Sequence, residues 1–436
     1  MSDRELSLKT IFLFWLPLAS TWLMMAAEGP FLAAVIARLA EPKFNLAAYG
    51  VAFSLGIFIE APIIMIMSAS TALVKDWSSY LRLRNFTNFL NAVLTFLILL
   101  VCLPPVFQVV AVRLIGLPAE VVRLTQQAVI FLIPWPGVIG YRRFYQGVLI
   151  RYRLTRRVAY GTVIRLMTMA TTAFLVSRFT GLPGASVGAL SLSAGVTAEA
   201  AASRLMVHSR LRRLKAEGES IPAAAPLSYR YITRFYYPLA LTSVLALGVQ
   251  PLVTFFLGHS RMPIESLAVG PVINSFVFIF RSIGLSFQEV AIALLGEKNE
   301  HLGQIRKFAL ILGGGVQLAF LLVAFSPFAY VWFHDISGLS IELARFSLLP
   351  TRILVLIPPL TLLLSFQRAY LVNNERTSPI TAATLLEVGA IVLVLLVTLR
   401  GFDLVGIVGA ALALMIGRVL AVTYLAVPVR VVRSLR

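Results

Sequence analysis

Apolar residues in this chain run in long continuous blocks separated by short polar connections, without strict alternation. A helix needs about 20 mostly apolar residues to cross a hydrocarbon core of roughly 30 Å. Blocks of that length lie near 11–37, 46–74, 86–112, 122–149, 158–178 and 184–208, then 232–257, 265–295, 305–333, 343–371, 378–399 and 404–429. The pattern predicts an all-α integral membrane protein with twelve transmembrane helices. The first block is too long for a signal-peptide core and reads as a retained span. The longest polar connection, Leu211 to Ser228, carries Arg212, Arg213, Lys215, Glu217 and Glu219 before Pro222 and Pro226. It divides the chain into an expected N-terminal six-helix lobe (1–211), a cytoplasmic linker (212–228) and a C-terminal six-helix lobe (229–436).

Sliding the second half over the first exposes a duplication. At an offset of 221, Phe14-Trp15-Leu16-Pro17-Leu18-Ala19 falls on Phe235-Tyr236-Tyr237-Pro238-Leu239-Ala240, Pro30 on Pro251, Asp76 on Glu297 and Gly188-Ala189 on Gly409-Ala410. At 222, Phe144 meets Phe366, Leu149 meets Leu371 and Thr155 meets Thr377. Six spans per repeat is an even number, so both repeats insert the same way round, and such proteins bind cargo between halves that rock.

Composition agrees with the pattern. Of 436 residues, 59% are hydrophobic and 13% charged, with a mean hydropathy of +0.87. This excludes a water-soluble enzyme and a disordered chain, and the single cysteine, Cys102, excludes a disulfide scaffold. Continuous blocks argue against an outer-membrane barrel. The net charge of +19 follows sidedness. Lys and Arg concentrate in the connections 75–84, 151–157, 210–230, 297–307 and 373–377 and in both tails, so both termini are expected on the cytoplasmic side of the plasma membrane. Nucleic acid is not an expected partner.

Charged groups at mid-membrane cost about 2.5–3.5 kcal/mol on insertion scales and are kept where they face protein or water. Glu28, Glu60, Arg165, Arg281, Glu289 and Glu387 lie at that depth, with Gln288 beside Glu289. The repeat places Glu60 on Arg281 and Arg165 on Glu387, which is charge reversal at equivalent positions. Two arrangements follow: Glu60 with Arg281, and Arg165 with Glu387 or Glu289, as contacts between the halves in one access state, or each charge paired within its own half. Glu28 precedes Pro30 by two residues and is suited to a proton, a cation or a cargo amine. Arg142, Arg143, Arg204, Arg352, Arg368 and Arg418 lie nearer span ends, where their stems reach toward headgroups or, as the alternative, line the cavity. Pro17, Pro30, Pro238 and Pro251 kink the first span of each half, either as shared structure or as a gate.

His208, His259, His301 and His334 have no metal-ligand spacing, and neither a Walker A motif nor a Gly-x-Ser-x-Gly elbow is present. No enzyme activity, metal or cofactor is expected, and uphill movement would draw on a gradient of an ion, proton or sodium, or of cargo.

Particular stretches carry a family likeness. Ala47-Ala48-Tyr49-Gly50-Val51-Ala52-Phe53-Ser54-Leu55, Phe235 to Leu241 with Gln250 and Pro251, Gln288-Glu289-Val290, Leu349-Pro350-Thr351-Arg352-Ile353 with Pro358, and Gly406-Ile407-Val408-Gly409-Ala410 resemble the progressive ankylosis family of the multidrug/oligosaccharidyl-lipid/polysaccharide (MOP) exporter superfamily. The connection Val74-Lys75-Asp76-Trp77 lacks the major-facilitator signature. The resemblance implies a V-shaped, MATE-like pair of lobes, export of an organic anion such as citrate, ATP or pyrophosphate, and Glu28, Glu289 and Arg352 as inherited functional positions. A proton- or sodium-coupled drug antiporter, a lipid-linked precursor flippase and a membrane scaffold stand beside that reading.

Overall fold

The computed structural model describes residues 6–152, 154–220, 227–296, 299–374, 376 and 378–434. Asp3, Arg4, Glu5, the Pro222 to Pro226 stretch, Glu297 and Thr377 lie outside the described residues. Long helices follow one another: α1 (Leu8–Ala37), α2 (Pro42–Leu73), α3 (Trp77–Cys102), α4 (Ala119–Arg151), α5 (Arg156–Phe179), α6 (Gly184–Ser220), α7 (Tyr229–Gly258), α8 (Pro263–Leu294), α9 (Leu302–Phe325), α10 (Ile341–Asn373), α11 (Ser378–Gly401) and α12 (Gly406–Val431). The chain is a multi-pass membrane protein, although eleven of these helices, rather than the expected twelve, are long and apolar enough to cross a membrane. The one that fails this measure, α6, covers the sixth expected span, but it buries Glu199, Ser186, Ser191, Ser193 and Ser203 and runs on into the polar connection. Exposed Phe89, Phe96, Leu310, Leu318 and Leu322 give neighbouring helices a lipid-compatible exterior.

Four helices are interrupted, and proline accounts for most of the breaks, because it lacks the N–H that continues the ladder. In α2 a 3-10 turn covers Ala61–Ile63 around Pro62. In α4 the first segment ends at Phe131, a turn follows through Pro134, and the helix restarts with Trp135 and Pro136. In α10 a 3-10 turn, Leu354–Leu356, precedes Pro358. In α7 the break falls at Gly248, ahead of Pro251.

Contacts group the helices into two compact units, Leu39–Gly258 and a second unit of Met1–Arg38 with His259–Arg436. These are not the chain-order halves expected from the repeat, because the first span of each half is exchanged. In the second unit Trp15 Nε1 donates to Ser286 Oγ at 2.9 Å. Ile11, Trp15 and Ala19 join Phe287, Val290 and Ala291 in one apolar cluster, and a Cβ on Gly29 would stand 2.6 Å from the Ser275 Cβ. In the first unit the Tyr236 hydroxyl donates to the Pro62 carbonyl at 2.6 Å and its ring meets Phe86 edge-on. Lipid is as apolar as leucine, so small residues and interhelical hydrogen bonds decide which helices associate. Chain order does not enter.

The duplication is written into the backbone of each unit. Glu41 and Met262, related by the offset of 221, both adopt left-handed φ, at 48° and 56°, immediately before a proline that opens α2 or α8. Asn45 Oδ1 accepts the Ala185 N–H at 2.9 Å, and Ser266 Oγ accepts the Ile407 N–H at 3.2 Å. In both cases a polar side chain near the start of one helix caps the N-terminus of another.

Candidate functional site

Each unit buries a cluster of ionisable side chains among its helices. In the unit Leu39–Gly258 the centre is Glu199 on α6, 1% exposed. Its Oε2 pairs with Arg142 and lies 3.6 Å from Arg165 Nη1, while Oε1 accepts from Gln146 Nε2 at 2.9 Å. Glu60 ends the first segment of α2 at the Pro62 break, buried and within electrostatic reach of Arg142, Arg143 and Arg165. Glu199 is therefore gripped by three donors from α4 and α5.

In the second unit Glu387 on α11 accepts from Arg418 Nε at 2.7 Å, and Arg418 Nη1 donates to Thr361 Oγ1 at 3.0 Å. Arg368 Nη2 donates to Thr384 Oγ1 at 3.3 Å. Arg281 on α8 and Arg368 on α10 both lie within electrostatic reach of Arg418 and Glu387. Close helix approach makes this possible: a Cβ on Gly284 would stand 2.8 Å from the Leu362 amide nitrogen, bringing α8 against α10 one turn beyond Arg281. The Nε atoms of Arg281 and Arg368 are buried with no hydrogen-bond partner among the described residues.

The remaining expected residues fall elsewhere. Glu28 is buried in α1 beside Gly29. On α8, Gln288 is half-buried and Glu289 is exposed. Arg352 is exposed on α10, donates to the Ala324 carbonyl at 3.3 Å and covers the Phe325 ring at 5.6 Å. Pro17 and Pro30 sit inside an unbroken α1, and Pro238 sits inside the first segment of α7.

Against solved structures, the chain matches the lipid II flippase MurJ in an inward closed conformation with a TM-score of 0.72 and 16% identity, over 94% of this chain and 86% of that one. It matches an inward-facing multidrug resistance MATE family transporter of the MOP superfamily at 0.69 and 13%, over 95% and 96%. The fold is that of the MOP transporters. A MOP superfamily transporter from Pyrococcus furiosus, described by a reverse polarity of its binding pocket, matches at 0.63 and 14%, over 96% of both chains. No protein-family model and no curated protein matches. The narrower likeness to the progressive ankylosis family is not carried by these MOP neighbours.

Within this fold, Arg165 meets Glu199 and Glu387 meets Arg418, which is the pairing inside each charge's own unit that the sequence left open beside the other arrangement. Neighbouring helices α5 and α6, and α11 and α12, pack along their lengths, and charges on adjacent helices find each other first. Arg142 and Arg418 do not reach out toward headgroups: Arg142 is 4% exposed, and both guanidiniums bind carboxylates. Glu199, Gln146 and Thr361 were missed as site residues. An ionisable residue inside the block 184–208 was the available signal for Glu199. The repeat was the signal for Gln146, which falls on Arg368 at the offset of 222.

Proposed function

We propose that the protein is a secondary transporter of the MOP type that works by alternating access and exports an anion bearing phosphate or carboxylate groups. The observation that carries this reading is the imbalance in the second unit, where Arg281, Arg368 and Arg418 face one carboxylate, Glu387. Each guanidinium kept inside a membrane costs about 2.5–3.5 kcal/mol on insertion scales, and a surplus is offset by a ligand of opposite sign. The planar guanidinium fork matches carboxylate and phosphate oxygens. Citrate, ATP and pyrophosphate, the cargoes implied by the ankylosis resemblance, belong to this class. A cation antiporter would call for an excess of carboxylates, and both clusters hold more arginine than glutamate. The break in α7 before Pro251 supports that helix as the hinge. The basic connections support a plasma-membrane protein with both termini cytoplasmic.

A second reading, a flippase for a lipid-linked anion, is favoured by one feature of the unit Leu39–Gly258. An apolar cavity of about 870 Å³ between α3, α4 and α6 is lined by Phe96, Leu99, Val138 and Leu205, with Arg204 among its walls. The MurJ neighbour, a lipid II flippase, has the same fold.

The test is flux in inside-out proteoliposomes of labelled pyrophosphate, citrate and ATP, beside a cationic dye and a fluorescent polyprenyl diphosphate. Saturable flux of the free anions supports export of a soluble anion. Leaflet exchange of the polyprenyl diphosphate alone selects the flippase. Dye flux that depends on a proton gradient and is lost in Glu28→Gln overturns both.

A further inference from the structure

The two charged clusters occupy corresponding helices of the repeat, and they differ in how tightly the central carboxylate is held. In the first unit the charges come from α2, α4, α5 and α6, and in the second from α8, α10, α11 and α12. Glu199 is almost wholly enclosed, with both oxygens bound by Arg142, Gln146 and Arg165. Glu387 is held through one oxygen by one arginine, and the side chains of that pair retain 12% and 15% exposure. Around it stand two further guanidiniums, Arg281 and Arg368, whose buried Nε atoms, like those of Arg142 and Arg143 in the first unit, have no hydrogen-bond partner among the described residues. The first cluster sets two carboxylates, Glu60 and Glu199, against Arg142, Arg143 and Arg165, and both oxygens of Glu199 are engaged. The second is an arginine site occupied by a single tethered carboxylate.

We propose that Glu387 is a resident counter-anion that the cargo displaces: Arg281, Arg368 and Arg418 together bind a doubly charged phosphoryl group, and Glu387 takes its place on Arg418 when the site is empty. This rests on the anion reading above and deepens it by naming the site, the ligand charge and the competitor. Three guanidiniums against one carboxylate leave two positive charges, which a diphosphate or phosphate-monoester dianion neutralises. Arginine binds such groups through paired N–H donors, and the two idle Nε–H groups are donors of that kind. The exchange also explains why a carboxylate is present in an anion site. Without it, three half-buried cations would stand together after release, at a cost that would hold the cargo in place.

The experiment uses the purified full-length protein in detergent and measures binding of inorganic pyrophosphate, with farnesyl diphosphate as a lipid-linked probe, by calorimetry and by thermal shift. Glu387→Gln removes the competitor and is expected to bind pyrophosphate about tenfold tighter than wild type, whereas Arg281→Gln and Arg368→Gln each bind it about tenfold more weakly. Glu387→Asp shortens the tether and is expected to fall between wild type and Glu387→Gln, which keeps the test open if the glutamine variant does not fold. Arg306→Gln, exposed on α9 and outside both clusters, is expected to keep wild-type affinity. Tighter binding of farnesyl diphosphate than pyrophosphate assigns the phosphoryl group to a lipid-linked cargo, and the reverse assigns it to a soluble one. Unchanged or weaker binding in both Glu387 variants, or full affinity in Arg281→Gln and Arg368→Gln, overturns the proposal. Anion flux in proteoliposomes with that unchanged binding would leave the transport reading standing and remove only this site. The predicted binding without flux of any anion would do the opposite.

Discussion

A Cβ added to Gly417 would stand 3.0 Å from the main-chain carbonyl oxygen of Glu387. At the positions 222 residues earlier, a Cβ on Gly195 would stand 2.9 Å from the carbonyl of Arg165. The same glycine contact holds the last two helices of each repeat together, and in both it is made at the residue whose side chain carries the charge. Duplication thus preserved the backbone approach of α5 to α6 and of α11 to α12, while the charge at the contact reversed; in both repeats its partner, Glu199 or Arg418, stands on the facing helix.

These glycines have no room for a side chain. Gly195→Leu and Gly417→Leu should each lower stability by about 1–3 kcal/mol through overpacking, read as a fall in melting temperature of the purified protein. Gly314, with nothing within 4 Å of its Cβ position, is the contrast. Gly314→Ala should be neutral or stabilising by up to about 1 kcal/mol, since alanine is the better helix former.

Glu199 neutralises the guanidiniums packed around it in the first unit. Glu199→Ala leaves Arg142 and Arg165 buried without their carboxylate and should cost about 3–5 kcal/mol. Combining it with Arg142→Ala should recover part of that loss. Equal damage in the single and the double variant, by thermal denaturation, would show that the pair does not stabilise the unit.

The placement of α1 beside α8 depends on a contact that a double-mutant cycle isolates. Trp15→Phe and Ser286→Ala both remove the bond from Nε1 to Oγ. Their coupling energy should be about 0.6 kcal/mol and no more than about 2 kcal/mol, as for other hydrogen bonds between membrane helices. Strict additivity in melting free energies would mean that apolar packing alone holds α1.

At the break in α2, the Tyr236 hydroxyl satisfies the Pro62 carbonyl in a stretch where the helical ladder is interrupted. Tyr236→Phe should speed amide exchange at Ile63 through Ile66 and leave α3 unchanged. Equal exchange in the variant and the wild type would assign the rigidity of the break to 3-10 bonding alone.

Sidedness is open to direct labelling. On a Cys102→Ala background, Arg212→Cys should react with an impermeant thiol reagent only from the cytoplasm, and Arg400→Cys only from outside. The reverse pattern would invert the topology.

Much of the architecture was legible in the chain itself. Apolar block length locates the helices, because a span must satisfy its own backbone over the full hydrocarbon thickness. The repeat offset locates the equivalent positions Glu60 and Arg281, Arg165 and Glu387, because duplicated helices keep their register. Proline marks where the ladder can break, and it does break near Pro134 and Pro358, but α1 runs unbroken through Pro17 and Pro30, so proline alone does not place the interruptions. These are local consequences of residue type and spacing. Only the tertiary structure decided partners. Pairing of Arg165 with Glu199, burial of Arg142, exposure of Glu289 and transfer of α1 to the unit of α8 all depend on helix rotation and neighbour choice. In an apolar solvent the hydrophobic pattern does not point a helix face toward any particular neighbour, and close-packed glycines, serines and a few hydrogen bonds make that choice.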